Sequence, residues 1–446
     1  MPQLDESTRK VVRRLAVFEG GWTLDAAQHV CGMPDPLQTL MDRALVAAEA
    51  SGSRYRLAEP LRAEAVQELS QAPESTEIRD RHLEYFVQLA GTAKPQLAGP
   101  GQVTWLDRLD AERANILAAH QWAGNDPRHA SAGLRLVNSI KLYWMNRGLL
   151  HLGLAMMLEA LHRPGAQDRT PERAQGLFNA GQLRYFMGRY GEARRCLETS
   201  LDIARGLGDA YVAAVLQPLG MAAIGEGDFV LARRCFDEST QLSQSRGDMR
   251  GLAGALNAQG MLYRVQGEYS RARPLYERVV RLAEEQGNDE ARATGLLNLC
   301  MVCVDMGFIE EARSLLEDAM HAAWRLRSVP AAQSALDVCA ALACRDGDWL
   351  SALRFVAASD AQATRSGVQR DPADTMFLDH KMARCRAMVP SSSVEAARGE
   401  GAAMPLFAAL AEAQSWLEHA GDEPGANLTA RRSPGSDRPD TPARPR

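Results

Sequence analysis

Glycine returns at a fixed interval through the centre of this 446-residue chain. Gly148, Gly188, Gly227, Gly267, Gly307 and Gly347 are separated by 40, 39, 40, 40 and 40 residues. Two positions after each stands a bulky residue: Leu150, Tyr190, Phe229, Tyr269, Ile309 and Trp349. From the second glycine onward an alanine follows five residues later: Ala193, Ala232, Ala272, Ala312 and Ala352. A further glycine closes most units, at Gly208, Gly247, Gly287 and Gly367. This register constrains the fold more than any other property of the chain. A unit of such length cannot bury its apolar face alone, so units must stack, and the period implies a one-dimensional helical array.

Within each unit the residues read as helix, tight turn, helix. A leucine precedes each turn glycine by eleven residues (Leu177, Leu216, Leu256, Leu296, Leu336) and a small residue by seven (Gly181, Gly220, Gly260, Cys300, Ala340). The small residues let paired helices approach closely. Four residues past the alanine come Leu197, Phe236, Tyr276, Leu316 and Val356, on the same face one turn on. Gly148, Leu150, Met157 and Ala160 fit a sixth, atypical unit at the N-terminal end, as a cap. Pro218, inside a first helix, is expected to kink it or delay its start. Together these spacings resemble the tetratricopeptide repeat. Because that repeat is usually about 34 residues long, the extra residues imply longer helices or loops.

The first seventy residues follow another pattern. Helices are expected at Ser7–Phe18, Leu24–Cys31 and Pro36–Leu45, then strands at Val46–Ala50 and Arg54–Ala58 around Ser51-Gly52-Ser53. Three helices and a hairpin make a winged helix. A further helix, Pro60–Leu69, leaves it, and a helical connector spans Thr76–Trp122. The fold class is therefore all-α, a tetratricopeptide-like solenoid preceded by a winged-helix domain with a small β-hairpin. The expected divisions are 1–72 (winged helix), 73–133 (connector), 134–372 (about six repeat units), 373–420 (C-terminal helical cap) and 421–446 (disordered tail).

The segments RRLAVFEGGWTLDAAQHVCG, LMDRALV, YRLAEPLRAEAVQEL and WLDRLDAERANILAAHQWA resemble those that follow the nucleotide-binding core in STAND signalling ATPases, particularly bacterial regulators with LuxR-type DNA-binding ends. In that family the order is ATPase core, winged helix, connector, repeat array and often a helix-turn-helix. The resemblance implies a sensor arm, either a free-standing adaptor or a subunit working with a separate ATPase or regulator. It departs from the family at both ends. A phosphate-binding loop requires Gly-x4-Gly-Lys-Ser/Thr, and none of the four lysines (Lys10, Lys94, Lys141, Lys381) follows a glycine. At the other end Asn427–Arg431 resembles the opening of a LuxR-type helix-turn-helix, after which the likeness stops; five residues match readily by chance, and an ending at this point suggests truncation or a frameshift.

Composition narrows the partners. Net charge is −5, and residues 1–72 hold eight Arg or Lys against ten Asp or Glu, so direct DNA binding is not expected. No stretch approaches the roughly 18 apolar residues of a membrane helix, and no secretory h-region follows the N-terminus, so the expectation is cytoplasmic. The eight cysteines are read as reduced packing residues rather than a zinc site at Cys300, Cys303, Cys339 and Cys344. No metal, cofactor or catalytic constellation is expected, so the chain is read as non-enzymatic.

The inner face of the array remains as the binding surface. Extrapolating the register of the first helices gives Phe178, Asn179, Gln182, Tyr185, Gln217, Met221, Asn257, Met261, Arg264, Asn298, Met301, Asp305, Asp337 and Arg345. Amides there can pair with a peptide backbone, and methionines re-pack around varied apolar groups, though Met221, Met261 and Met301 equally suit interhelical packing. The expected function is a scaffold for a protein, peptide or small effector, the sensor half of a STAND-type regulator. Two other readings stand beside it: a DNA-binding winged-helix regulator, and a non-functional piece of a larger ATPase regulator.

Overall fold

The computed structural model describes residues 4–32, 37–49, 52–99 and 101–419. The tail 421–446, Asn427–Arg431 within it, Pro36, Ala50 and Ser51 lie outside the described residues.

The N-terminal domain comprises α1 (Glu6–Leu15), α2 (Leu24–Cys31), α3 (Leu37–Asp42), β1 (Val46–Ala48), β2 (Tyr55–Leu57) and α4 (Glu59–Gln71). The strands pair antiparallel with Val46 opposite Leu57, and Trp22 bridges to Tyr55 as a third strand position. Gly21 makes that approach possible. Its φ is +86°, and a Cβ there would lie 2.8 Å from the Tyr55 carbonyl oxygen. Asp5 and Thr23 cap α1 and α2 by accepting from Thr8 N and Ala26 N.

The connector is two helices, α5 (Ser75–Gln96) and α6 (Gln102–Trp122), rather than one run. It is bound to the N-terminal domain by a buried polar network. Arg54 pairs with Glu112, and Asn115 accepts from Glu19 N (2.7 Å) and donates to the Gly21 carbonyl (2.9 Å). A single apolar core runs on from Val12 through Phe86 and Ile116 to Trp144 and Leu183.

The capping unit of the array consists of α7 (Ala130–Ser139), α8 (Lys141–Asn146) and α9 (Leu150–His162), its first helix interrupted at Ile140. Five hairpins follow: α10 (Pro171–Phe186) with α11 (Tyr190–Ala204), α12 (Asp209–Gly225) with α13 (Phe229–Ser245), α14 (Met249–Val265) with α15 (Tyr269–Glu285), α16 (Asp289–Met306) with α17 (Ile309–Leu326), and α18 (Val329–Asp346) with α19 (Trp349–Ser366). The residues beyond the usual repeat length go into the helices, which run to 18 residues in the last two hairpins. The delayed start expected of Pro218 does not occur. α12 begins at Asp209 and continues through the buried proline, flanked by buried Leu216, Leu219 and Gly220.

The small positions do what their spacing implies. A Cβ on Gly181 would lie 2.6 Å from Leu197 Cγ, and one on Gly260 would lie 2.7 Å from Tyr276 Cε1. In the first three hairpins the bulky residue of the second helix thus fills the space that glycine leaves. The array also winds far enough for its ends to meet. Gln369 N donates to the Phe186 carbonyl (2.7 Å), and a Cβ on Gly148 would lie 2.7 Å from the Arg365 carbonyl oxygen.

After α19 the chain forms α20 (Pro372–Ala387), α21 (Ser391–Ala403) and α22 (Leu406–His419). α20 crosses the inner face, reaching α18, α19 and α14. α21 packs on α19, while α22 covers α17, α18 and α19, with Phe407 against Trp324 of α17 (5.3 Å between ring centres) and Trp416 against Phe355 of α19 (6.0 Å). Among the described residues no helix is long and apolar enough to cross a membrane.

A candidate binding groove on the inner face of the array

Residues three and four apart share one face of a helix, and on α14 that face reads Gly254, Asn257, Met261, Arg264. On α16 it reads Thr294, Asn298, Met301, Asp305. The N-terminal halves of these faces border an open hollow, and the C-terminal halves lie under α20. The groove therefore has two stretches that meet at Asn257 and Asn298.

The open stretch encloses about 650 Å³ between α12, α14 and α16. It exists because Ala210, Ala213, Ala214, Gly251 and Gly254 carry almost no side chain where the helices face one another. Its lining also includes Ser243 and Val279 from the second helices α13 and α15. Ser243 is 1% exposed, and its hydroxyl has no hydrogen-bond partner among the described residues. A buried hydroxyl left unpaired costs about 1–3 kcal/mol. Gln217 borders the same space, and its amide makes no hydrogen bond among the described residues. Asn257 accepts from Asn298 Nδ2 (2.9 Å) and keeps its own NH2 available. Arg250 and Glu290 stand exposed at the rim.

The second stretch is occupied by the chain itself. Arg264 donates to Asp374 (3.0 Å), Lys381 to Asp305 (2.6 Å), and Arg370, just before α20, to both oxygens of Asp337 (2.7 and 2.9 Å). The charges are deeply placed: the side chains of Arg264 and Asp337 are each 3% exposed. Burial opposes the Arg264 charge, yet Tyr276, Asp374 and Asp371 outweigh it and raise its pKa above the ordinary value. For Asp337 burial wins over Arg370, pushing the carboxyl above its usual range, and for Lys381 burial wins over Asp305, pulling the ammonium down. Burial and the adjoining Asp374 push Asp371, which caps α20, up to about 7.

One hydrogen-bonded chain joins the two stretches. Asp374 accepts from Arg264, Arg264 donates to Asn298 (2.7 Å), and Asn298 donates to Asn257 at the edge of the hollow. Arg264 also approaches the Met301 sulfur at 2.9 Å.

The sequence-derived residues thus fall into separate groups. Gln217 and Asn257 border the hollow, while Arg264, Asn298, Met301, Asp305 and Asp337 meet α20 or its partners. Phe178, Asn179 and Gln182 gather nearer the cap, where Lys141 donates to Gln182 (2.5 Å) beside the Phe178 ring and Asn179 donates to Asn138 (3.0 Å). Met221 and Met261 pack in the apolar core, and Tyr185 is buried against Tyr190. Arg345 stands apart, half exposed, 3.8 Å from Asp346. Sequence reasoning missed Ser243, the small residues that open the hollow, and Arg370, Asp374 and Lys381. The small residues carried a readable signal, since Ala210, Ala213, Ala214, Gly251 and Gly254 cluster in the first halves of two first helices. The α20 charges carried none, because their partners lie 33 to 110 residues away.

All eight cysteines are free and buried. Cys300 donates to the Ala312 carbonyl (3.0 Å) and Cys344 to the Lys381 carbonyl (3.1 Å), and among the described residues no group of three or more His, Cys, Asp or Glu could hold a metal ion.

No curated protein matches the sequence. Among solved structures the chain is similar to BtubC from P. vanneervenii (20% identity, TM-score 0.41, covering 50% of this chain and 92% of that one). It is also similar to a STAND protein with a tetratricopeptide repeat sensor from Pyrococcus horikoshii (15% identity, TM-score 0.44, covering 93% and 66%). A third is NprR in complex with its cognate peptide NprX (16% identity, TM-score 0.43, covering 60% and 73%). The tetratricopeptide repeat family profile matches residues 172–245 and 251–325. These residues, α10 to α17, are tetratricopeptide repeats, and α18–α19 continue their register.

Proposed function

We propose that this chain is a non-enzymatic binding scaffold that takes an extended peptide or protein segment in the open stretch of the inner groove. The observation that carries this reading is the hollow of about 650 Å³ edged by Gln217 and Asn257. Gln217 offers donor and acceptor together and Asn257 an available NH2, which suits a peptide backbone. Alanine and glycine leave room for side chains of varied shape. What supports the finer reading, the sensor portion of a STAND-type regulator, is the order of parts: three helices with a hairpin, a helical connector, then the array. Against DNA reading stands the use of the basic residues in the first domain. Arg9 pairs with Glu68, Arg13 and Arg14 with Glu74, Arg43 with Asp5, Arg54 with Glu112 and Arg62 with Glu19.

The test fills the hollow without disturbing its hydrogen bonds. Ala214→Trp, at an exposed lining position of α12, is compared with Val230→Trp on α13, 73% exposed. Immobilised chain is offered a random peptide library, and retained peptides are measured by fluorescence anisotropy. Binding is expected to fall at least about tenfold, or 1.4 kcal/mol, for Ala214→Trp and to persist for Val230→Trp. Equal binding by both variants removes the hollow as the site.

A further inference from the structure

α20 does not behave as another unit of the array. Within each hairpin of the array the two helices pack along their whole length, whereas α20 makes sparser contacts and spans from α18 across to α14. The helix after it, α21, packs on α19 instead of completing a hairpin with α20. Its outer side is exposed at Thr375, Met376, Asp379, His380 and Ala383, and its inner side buries Phe377, Leu378 and Met382. This is how a ligand helix lies in a groove.

The charges beneath it state what such a helix must carry. If α20 left, Arg264 and Asp337 would remain deep in the groove without their partners, and an unpaired buried charge is far more costly than a paired one. Whatever takes its place has to supply a carboxylate opposite Arg264 and cations opposite Asp305 and Asp337. Asp374 and Lys381 are seven residues apart, which is about 10 Å or two turns along one helix face. Phe377 and Leu378 fill the turn between. Resting on the reading that the inner face binds partners, we infer that the stretch under α20 is a second binding site. It accepts a partner helix bearing a carboxylate, a lysine or arginine two turns later with an apolar pair between, and a second cation about four residues before the carboxylate to face Asp337; α20 and the Arg370 just before it hold this site in cis. The chain Asp374–Arg264–Asn298–Asn257 places its edge against the open hollow, so the two sites adjoin.

The probe is a fluorescein-labelled peptide of residues 369–387, with anisotropy read on the full chain. On the unaltered chain α20 competes at an effective concentration of order millimolar, so binding is weak. On a full chain carrying Asp374→Asn and Lys381→Gln, affinity is expected to rise at least about tenfold. The same peptide made with Asp374→Asn and Lys381→Gln should bind that chain at least about tenfold more weakly than the natural peptide, since two of the required charges are gone. Circular dichroism melts establish that the array is folded. If the double variant unfolds, hydrogen exchange of the unaltered chain with roughly 1 mM peptide gives the answer: faster exchange confined to α20 supports the inference. No binding to the folded variant, equal binding of the charge-neutral peptide, or unchanged α20 exchange overturns it. These outcomes leave the open hollow untouched, because Ala214→Trp reports on it separately.

Discussion

Replacing Arg264 by methionine removes the cation facing Asp374 and leaves that carboxylate, with a side chain 16% exposed, against an apolar wall. Asn298 loses the donor to its carbonyl oxygen in the same step. Breaking one partner of a buried pair costs about 3–5 kcal/mol, and the residual exposure of Asp374 places this case at the lower end. Asp374→Asn strands the more deeply buried guanidinium and should cost at least as much. The double variant strands neither charge, so its loss should fall short of the sum by at least about 2 kcal/mol. At roughly 2.1 cal/mol/K per residue, cooperative unfolding of some 400 residues carries about 0.8 kcal/mol/K, so each single variant should melt about 4–6 °C lower. Because α20 can detach before the array unfolds, the global loss cannot exceed its docking free energy, and any excess appears as faster amide exchange in α20. Scanning calorimetry and hydrogen exchange on the four chains complete the cycle. Losses additive within about 0.5 kcal/mol, with α20 exchange unchanged throughout, would falsify the claim that this ion pair anchors α20.

Two further perturbations probe the scaffold. Gly260→Ala gains about 1 kcal/mol of helix propensity but sets a methyl 2.7 Å from the buried Tyr276 ring; overpacking of about 1–3 kcal/mol wins, and a raised melting temperature would contradict the packing argument. His82, 2% exposed beside Phe18 and Phe86, is pulled down to about 4 by burial. Its folded-state pKa lies below the unfolded value near 6.5, so the unfolded chain binds the extra proton first, and stability present above pH 6.5 is lost as pH falls towards 4. The shift corresponds to about 3 kcal/mol. His82→Leu should flatten that part of the pH–stability profile measured by urea unfolding, and an unchanged slope would assign the acid sensitivity elsewhere.

The repeat was legible because it depends on local requirements repeated in register. A turn glycine takes positive φ, an alanine admits the facing helix, and Leu197, Phe236 and Tyr276 fill the space left by Gly181, Gly220 and Gly260. Each of these acts within one hairpin, so spacing reveals it. The break at Ile140 and the passage of α12 through Pro218 were not legible, since packing from other helices overrides local preference there. The groove divides in the same way. Gln217, Asn257, Arg264 and Asn298 were found because they share a periodic face. Their division between an open hollow and an occupied stretch depends on where α20 returns after α19, and no periodicity encodes that return. The four lysines were read only for a missing phosphate-binding loop, yet Lys381 holds α20 on Asp305 and Lys141 lies beneath Phe178.

A partner is proposed to enter the hollow between α12, α14 and α16. Photo-crosslinking from p-benzoylphenylalanine at Ala214, with Val230 as the outward-facing reference, reads this directly in the full chain. Crosslinked peptides identified by mass spectrometry should arise from Ala214, with Val230 giving only background, and a library peptide that binds should compete them away. Crosslinks of equal yield from both positions, or from Val230 alone, would contradict the account.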